Sequence, residues 1–153
     1  MWASMYKKEH YELALKEFKN TLEETEELIP RMATLAAIMK DKFSYYLWCG
    51  FYFVEDGKLI VGPYQGLKAC PVIGYGGVCG AAAKKQDKIL VPDVHKFPGH
   101  IVCDERSKSE MVIPVFDKEK RLVAVFDIDS DKTNAFDETD SKYVEKIVKL
   151  LFD

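Results

Sequence analysis

The sequence has no Cys-x-x-Cys pair, no apolar run near the ~20 residues that cross a bilayer, no excess of basic charge, and neither an internal repeat nor a low-complexity tract. Each absence removes a class of function. Without paired cysteine knuckles, the gaps from Cys49 to Cys70, Cys79 and Cys103 do not fit a zinc ribbon or finger, and no metal site is expected. With 22 Lys and Arg against 25 Asp and Glu, a net charge of -3 offers no electrostatic footprint for nucleic acid or an anionic membrane. The opening segment from Met1 to Lys8 lacks the apolar stretch of a secretory signal, so the cytoplasm is the expected compartment. In a reducing compartment four cysteines act as catalytic groups, ligands or buried thiols more often than as a disulfide framework.

What remains is an ordinary globular composition, 48% hydrophobic and 31% charged, in a chain of 153 residues, enough for one domain with a core of its own. Tyr11, Leu15, Phe18 and Leu22 recur at the spacing of one helical face. A second apolar stripe, Met32, Leu35, Ala36, Met39 and Phe43, follows Pro30, which either interrupts the pattern or sits in the first turn of the second helix. From Tyr45 to Val54 aromatic and β-branched residues predict a strand, Asp56-Gly57 a tight turn, and Lys58 to Val61 the returning strand. Residues 62–80 are crowded with Gly and Pro and read as irregular, before a short helix over Val78 to Lys85 and a strand over Lys88 to Val91. Met111 to Phe116 and Arg121 to Ile128 predict a second hairpin, and Asp137 an N-cap for a closing helix that turns Tyr143, Val144, Ile147, Leu150 and Leu151 to the core. The expected architecture is α+β: a mostly antiparallel central sheet, N- and C-terminal helices packed on one side and a looped pocket on the other, in a single domain spanning residues 1–153.

The chemistry concentrates between Gly62 and Pro114, where Cys70, Cys79 and Cys103 lie among loop-forming residues. Cys49, in the apolar run from Leu47 to Tyr52, reads instead as a small hydrophobe of the core. Cys103 stands near His100, Asp104, Arg106 and Lys108, and a neighbouring cation is one way to favour its thiolate. Glu110 is expected to act as an acid, supported by Asp129, because crowded carboxyls raise one another's pKa. Asp127 and Asp129 alternate along a strand and so share a face, as do Trp48 and Tyr52 four residues apart. For each the bland alternative is packing or a polar strand edge.

The motifs Gly62-Pro-Tyr-Gln-Gly66, Ala69-Cys70, Gly77-Val-Cys-Gly80, Val91-Pro-Asp-Val94, Phe97-Pro-Gly-His-Ile-Val-Cys-Asp104, Ser109-Glu110 and Phe126-Asp-Ile-Asp-Ser130 occur in that order. Together they resemble the free methionine-(R)-sulfoxide reductases, enzymes built on a GAF domain, from about Trp48 to the C-terminus. Two departures are visible: the family usually has one residue more between Cys70 and Cys79, and a small apolar residue where Cys49 stands. The resemblance implies that a thiolate attacks the sulfoxide sulfur of free methionine sulfoxide, that the sulfenic acid left behind condenses with a second cysteine, and that thioredoxin restores the dithiol. By motif Cys103 matches the attacking cysteine, Cys70 the principal resolving cysteine and Cys79 an alternative or relay. Trp48 and Tyr52 then become walls for the S-methyl group, and Asp127 or Asp129 a partner for the substrate ammonium. No bound cofactor is implied, only an external thioredoxin and NADPH reducing system. A homodimer through the N-terminal helices is compatible with this family. The competing reading is a small-molecule-sensing GAF module without catalysis, which has no need of Cys70, Cys103 or Glu110; a weaker one is a thiol switch whose disulfide is itself the signal.

Overall fold

In the computed structural model, residues 4–153 are described; the reading of Met1, Trp2 and Ala3 as part of a start without a secretory signal lies outside them. Two antiparallel helices come first, α1 (Ser4–Glu24) and α2 (Leu28–Lys42). Tyr11, Leu15 and Phe18 of α1 are buried, as are Met32, Leu35, Ala36 and Met39 of α2, so both apolar stripes face the interior. Pro30 falls in the first turn of α2, where a helix lacks i−4 acceptors and a missing N–H costs least.

The first strand, β1 (Trp48–Glu55), begins three residues later than its aromatic content suggests. Tyr45 and Tyr46 belong to the preceding turn, where burial and hydroxyl bonding override strand propensity: Tyr45 donates to Asp140 Oδ1 at 2.5 Å, and the Tyr46 and Tyr11 hydroxyls are 2.7 Å apart. Asp56-Gly57 makes the expected two-residue turn, with Glu55 facing Lys58 and Gly57 at φ +74°, a conformation that favours glycine. The returning strand β2 (Lys58–Gln65) runs four residues further than expected and absorbs Gly62 and Pro63. Between the pairs Gly50–Tyr64 and Tyr52–Val61, two residues of β2 oppose one of β1, and this bulge tolerates a proline in the strand.

A two-residue strand β3 (Val72–Ile73) pairs with β2 inside the stretch read as irregular. The helix α3 (Val78–Lys85) and the strand β4 (Ile89–Val91) follow as expected. The hairpin strands β5 (Ser109–Phe116) and β6 (Leu122–Ser130) each begin or end two residues beyond the expected limits, so Glu110 and Asp129 are strand residues paired with each other. Asp137 caps the closing helix α4 (Glu138–Lys149) by accepting the Thr139 and Asp140 N–H groups, while Asp140 accepts the N–H of Asp137 in return. Val144, Ile147 and Leu151 are buried beneath it, with Tyr143 and Leu150 at the margin.

The six strands form one antiparallel sheet in the order β3-β2-β1-β6-β5-β4. Alternation along the central strands splits the core in two. Cys49, Phe51, Met111, Ile113, Phe126 and Ile128 pack with α1, α2 and α4 on one face. Trp48, Tyr52, Val112 and Val125 pack on the other against α3, so the pocket face carries a short helix as well as loops. A fully buried Leu or Phe contributes about 1.5–3 kcal/mol, so the larger helix-side cluster supplies most of the folding free energy and the thinner pocket side is left for chemistry.

Candidate active site

Strand register assembles the floor of the pocket. Asp129 on β6 lies opposite Trp48 on β1 and Glu110 on β5, so these three form one row across the sheet. In the next row on that face Asp127 lies between Gly50 and Val112. Gly50 is required by close approach: a Cβ there would come within 2.2 Å of the Tyr64 Cβ. The shared face expected for Asp127 with Asp129 and for Trp48 with Tyr52 is present, and all four line one cavity of ≈ 50 Å³ with Cys79, His100, Cys103, Ser107 and Glu110.

The walls are held by hydrogen bonds to the loops around them. The Trp48 indole N–H donates to the Leu67 carbonyl at 3.1 Å, and the Tyr52 hydroxyl donates to the Cys70 carbonyl at 2.9 Å. The two rings lie 6.1 Å apart at 30°. The aromatic wall is thereby tied to the segment that carries Cys70.

Cys70 and Cys103, 33 residues apart, are joined by a disulfide with a Cα–Cα distance of 5.5 Å, within the span such a bond requires. Cys103 is exposed and Cys70 half-buried, so the bond lies at the mouth of the cavity. Cys79 and Cys49 are free thiols, and both are buried. Cys49 is on the helix face, donating to the Ala36 carbonyl at 3.4 Å, where burial pushes its thiol up. Cys79 lies in the first turn of α3, and burial together with Asp127 and Glu110 pushes its thiol well above the ordinary range.

Among the described residues no Lys or Arg forms an ion pair with the acids beneath. Burial, then Asp127 and Asp129, raises the Glu110 carboxyl well above the usual range. Asp129 is raised by burial and Asp127, with the Ser107 hydroxyl, which donates to its Oδ1 at 3.1 Å, acting in the opposite sense. Burial also raises Asp127, against the influence of the nearby Glu110 carboxyl and Cys79 thiol; its Oδ1 still has no hydrogen-bond partner among the described residues. Among the described residues Lys68 and His100 are the basic side chains that line the cavity; His100 Nε2 is 3.7 Å from Glu110 Oε1, and burial lowers the pKa of that ring and favours its neutral form. A tight group of buried carboxyls holds its protons to higher pH than free carboxyls do, the direction a proton donor needs.

Of the cations considered for Cys103, only His100 lines the cavity. Arg106 is turned onto Asp104, donating at 2.7 and 3.1 Å, and Lys108 is exposed. Ser107 was not singled out by its sequence context, although it stands in the same polar run as Glu110. Ser109 points to the opposite face, donating to the Lys132 carbonyl at 2.5 Å, as strand alternation from Glu110 requires.

The GAF domain family matches residues 19–151. The chain is 44% identical over 147 residues to GAF domain-containing protein A of Dictyostelium discoideum, covering 95% of this chain and 92% of that protein. It is 34% identical over 148 residues to the free methionine-R-sulfoxide reductase of Escherichia coli, covering 96% and 89% respectively. The fold superimposes with a TM-score of 0.87 on the free methionine-R-sulfoxide reductase of Neisseria meningitidis solved in complex with its substrate, at 36% identity over 93% of this chain and 86% of that one. With sequence and fold in agreement over nearly its whole length, this chain belongs to the GAF-domain family of free methionine-R-sulfoxide reductases.

Proposed function

We propose that this protein reduces free L-methionine-(R)-sulfoxide to L-methionine, and that the disulfide between Cys70 and Cys103 at the mouth of an acid-floored cavity is the state left after one turnover. That juxtaposition is the observation that carries the reading. A cavity that only bound a small molecule would have no need of a bond that records a two-electron reduction.

The thiolate of Cys103 attacks the sulfoxide sulfur. Glu110, supported by Asp129, protonates the sulfoxide oxygen, and methionine departs as the hydroxyl passes to the Cys103 sulfur as a sulfenic acid. Cys70 displaces that hydroxyl as water and closes the disulfide, with Cys79 held in reserve as a second resolving thiol. One sulfoxide and two thiols thus become one thioether, one disulfide and one water. Thioredoxin, itself kept reduced by NADPH, returns two electrons to the disulfide. The S-methyl group packs against Trp48 and Tyr52, and Asp127 with Asp129 holds the ammonium. The α-carboxylate accepts from N–H groups at the start of α3, where Gly77 and Val78 line the cavity. Recognition of both charged ends selects a free amino acid over a peptide.

The reduced protein, incubated separately with each epimer of free methionine sulfoxide, tests the reading. Methionine from the R epimer alone, with two thiols lost per turnover in the absence of reductant, is expected. Cys103→Ser should release none. Turnover by that variant would overturn the assignment of the nucleophile, and disulfide formation with peroxide but not with the sulfoxide would favour a thiol switch.

A further inference from the structure

Cys79, Glu110 and Asp127 come from three different elements, α3, β5 and β6, and the sulfur and one oxygen of each carboxyl lie within 4.8 Å of one another. All three side chains are buried, at 5%, 5% and 6% exposure. None of the three has a Lys or Arg among the groups that set its protonation, so the cluster concentrates three potential anions, and among the described residues the basic side chains lining its cavity are Lys68 and His100. A second observation points the same way. Asp127 Oδ1 is buried without a hydrogen-bond partner among the described residues, and an orphaned carboxylate oxygen is costly unless something fills the place beside it.

We propose that Cys79, Glu110 and Asp127 form a binding site for a thiophilic divalent cation of the Zn²⁺ class. One thiolate and two carboxylates are a donor set for a borderline-soft ion, not for Mg²⁺ or Ca²⁺, which take oxygen alone. Bond lengths of about 2.3 Å to sulfur and 2.0–2.2 Å to oxygen set tetrahedral edges of roughly 3.3–3.7 Å, so side-chain rotations of about 1 Å close the shell. His100 Nε2 is 3.7 Å from Glu110 Oε1 and lines the same cavity but lies outside the group of three, which leaves the fourth position open to water. On binding, the thiol proton of Cys79 and the carboxyl protons leave to solvent, and no atom changes oxidation state. The site is unlike the paired-cysteine knuckles whose absence argued against structural zinc, because its ligands are single residues brought together only by the fold. It stands on the geometry of the three donors and not on the proposed reaction. Where that reaction also holds, the ion occupies carboxylates assigned to the substrate, and metal and amino acid exclude each other.

The disulfide form of the protein isolates the test, because Cys70 and Cys103 are then tied together and Cys49 lies on the other face of the sheet, leaving Cys79 as the one free thiol of the cavity. Titration with Co²⁺ should give a thiolate-to-metal charge-transfer band that saturates at one ion per chain and is erased by Zn²⁺. The band should vanish in Cys79→Ser, persist in Cys49→Ala, and require at least tenfold more Co²⁺ in Asp127→Asn. No band in the wild-type disulfide form, or an equal band in Cys79→Ser, overturns the proposal. Should Cys79→Ser fail to fold, undiminished affinity in Asp127→Asn overturns it as well. The outcome is independent of turnover: a protein inactive on methionine sulfoxide that gives the band retains the metal site, and an active one that gives none loses it.

Discussion

Among the helices, Asp140 is fully buried yet surrounded: Lys7 lies 2.6 Å from Oδ2, the Tyr11 and Tyr45 hydroxyls donate to Oδ1, and the Asp137 N–H donates to Oδ2. Lys7 in turn donates to the Ala135 carbonyl at 2.9 Å and lies 5.0 Å from the centre of the Tyr45 ring. On the pocket face, Glu110, Asp127 and Asp129 are brought together by register, with a neutral-leaning imidazole, one serine hydroxyl and the Cys79 thiol beside them and no ion pair to a Lys or Arg among the described residues. The two clusters use the same chemical groups for opposite ends. Around Asp140 every charge meets its partner within the protein, so burial locks helices α1 and α4 together. Around Asp127 one carboxylate oxygen has no partner among the described residues, and like charges facing each other across strands cost stability that a ligand cation or a bound proton restores.

The sharpest break of this contrast is on the helix side. Asp140→Asn removes the nearer of the two carboxylates that Lys7 faces, leaving Asp137 Oδ2 at 3.3 Å, and weakens the capping box of α4, and should cost about 3 kcal/mol in denaturant unfolding, the low end for a broken buried pair. Lys7→Met should cost less, since Tyr11, Tyr45 and the Asp137 N–H still satisfy the carboxyl, which can also take up a proton. A loss below 1 kcal/mol for Asp140→Asn would mean that the network is decorative. Next in size is the pocket acid. Glu110→Gln should fold normally but lower kcat/KM roughly 10²–10³-fold in a thioredoxin-coupled assay, the scale of a lost general acid. Unchanged kinetics would remove Glu110 from the proton path and leave Asp129 as the donor.

The two clusters differed in how far the sequence exposed them. The helix stripes, the Asp56-Gly57 turn and the Asp137 cap are local patterns, so periodicity and turn chemistry located them. Asp127 with Asp129 and Trp48 with Tyr52 were legible as same-face pairs because strand alternation is also local. The salt bridge between Lys7 and Asp140 joins residues 133 apart and leaves no local trace. For the same reason Tyr45 was read as strand: its aromatic ring favours a sheet, and the Asp140 partner that holds it in a turn is 95 residues away. The two-residue strand β3 is too short to show a period at all. That Cys70 meets Cys103 came from family resemblance and not from any spacing. The approach of Cys79 to Glu110 and Asp127 had no signal, because three residues on separate elements converge only in the fold.

The smallest effect separates the two clusters by the outcome of neutralisation and not by the direction of titration: burial raises both Asp140 and Glu110, but Lys7 and the tyrosine hydroxyls oppose that rise only at Asp140. Glu110 holds its proton to a higher pH in the folded chain than in the unfolded one, because burial and the two aspartates oppose its ionisation. From the ordinary carboxyl value near 4.3 up to that raised value, the folded state therefore binds more protons than the unfolded state, and stability falls as pH rises. Glu110→Gln has no proton to lose there, and it also relieves Asp127 and Asp129 of a neighbour. The disulfide form of this variant should match the wild type in Tm at pH 4 and exceed it at pH 8 by roughly 2–4 °C, which corresponds to about 1 kcal/mol for a chain of this size. Asp140→Asn, measured in parallel, should lie below the wild type at pH 8. A lower Tm for Glu110→Gln at pH 8 would show that Glu110 is stabilised by a partner after all, and the distinction between the two faces of the sheet would fail.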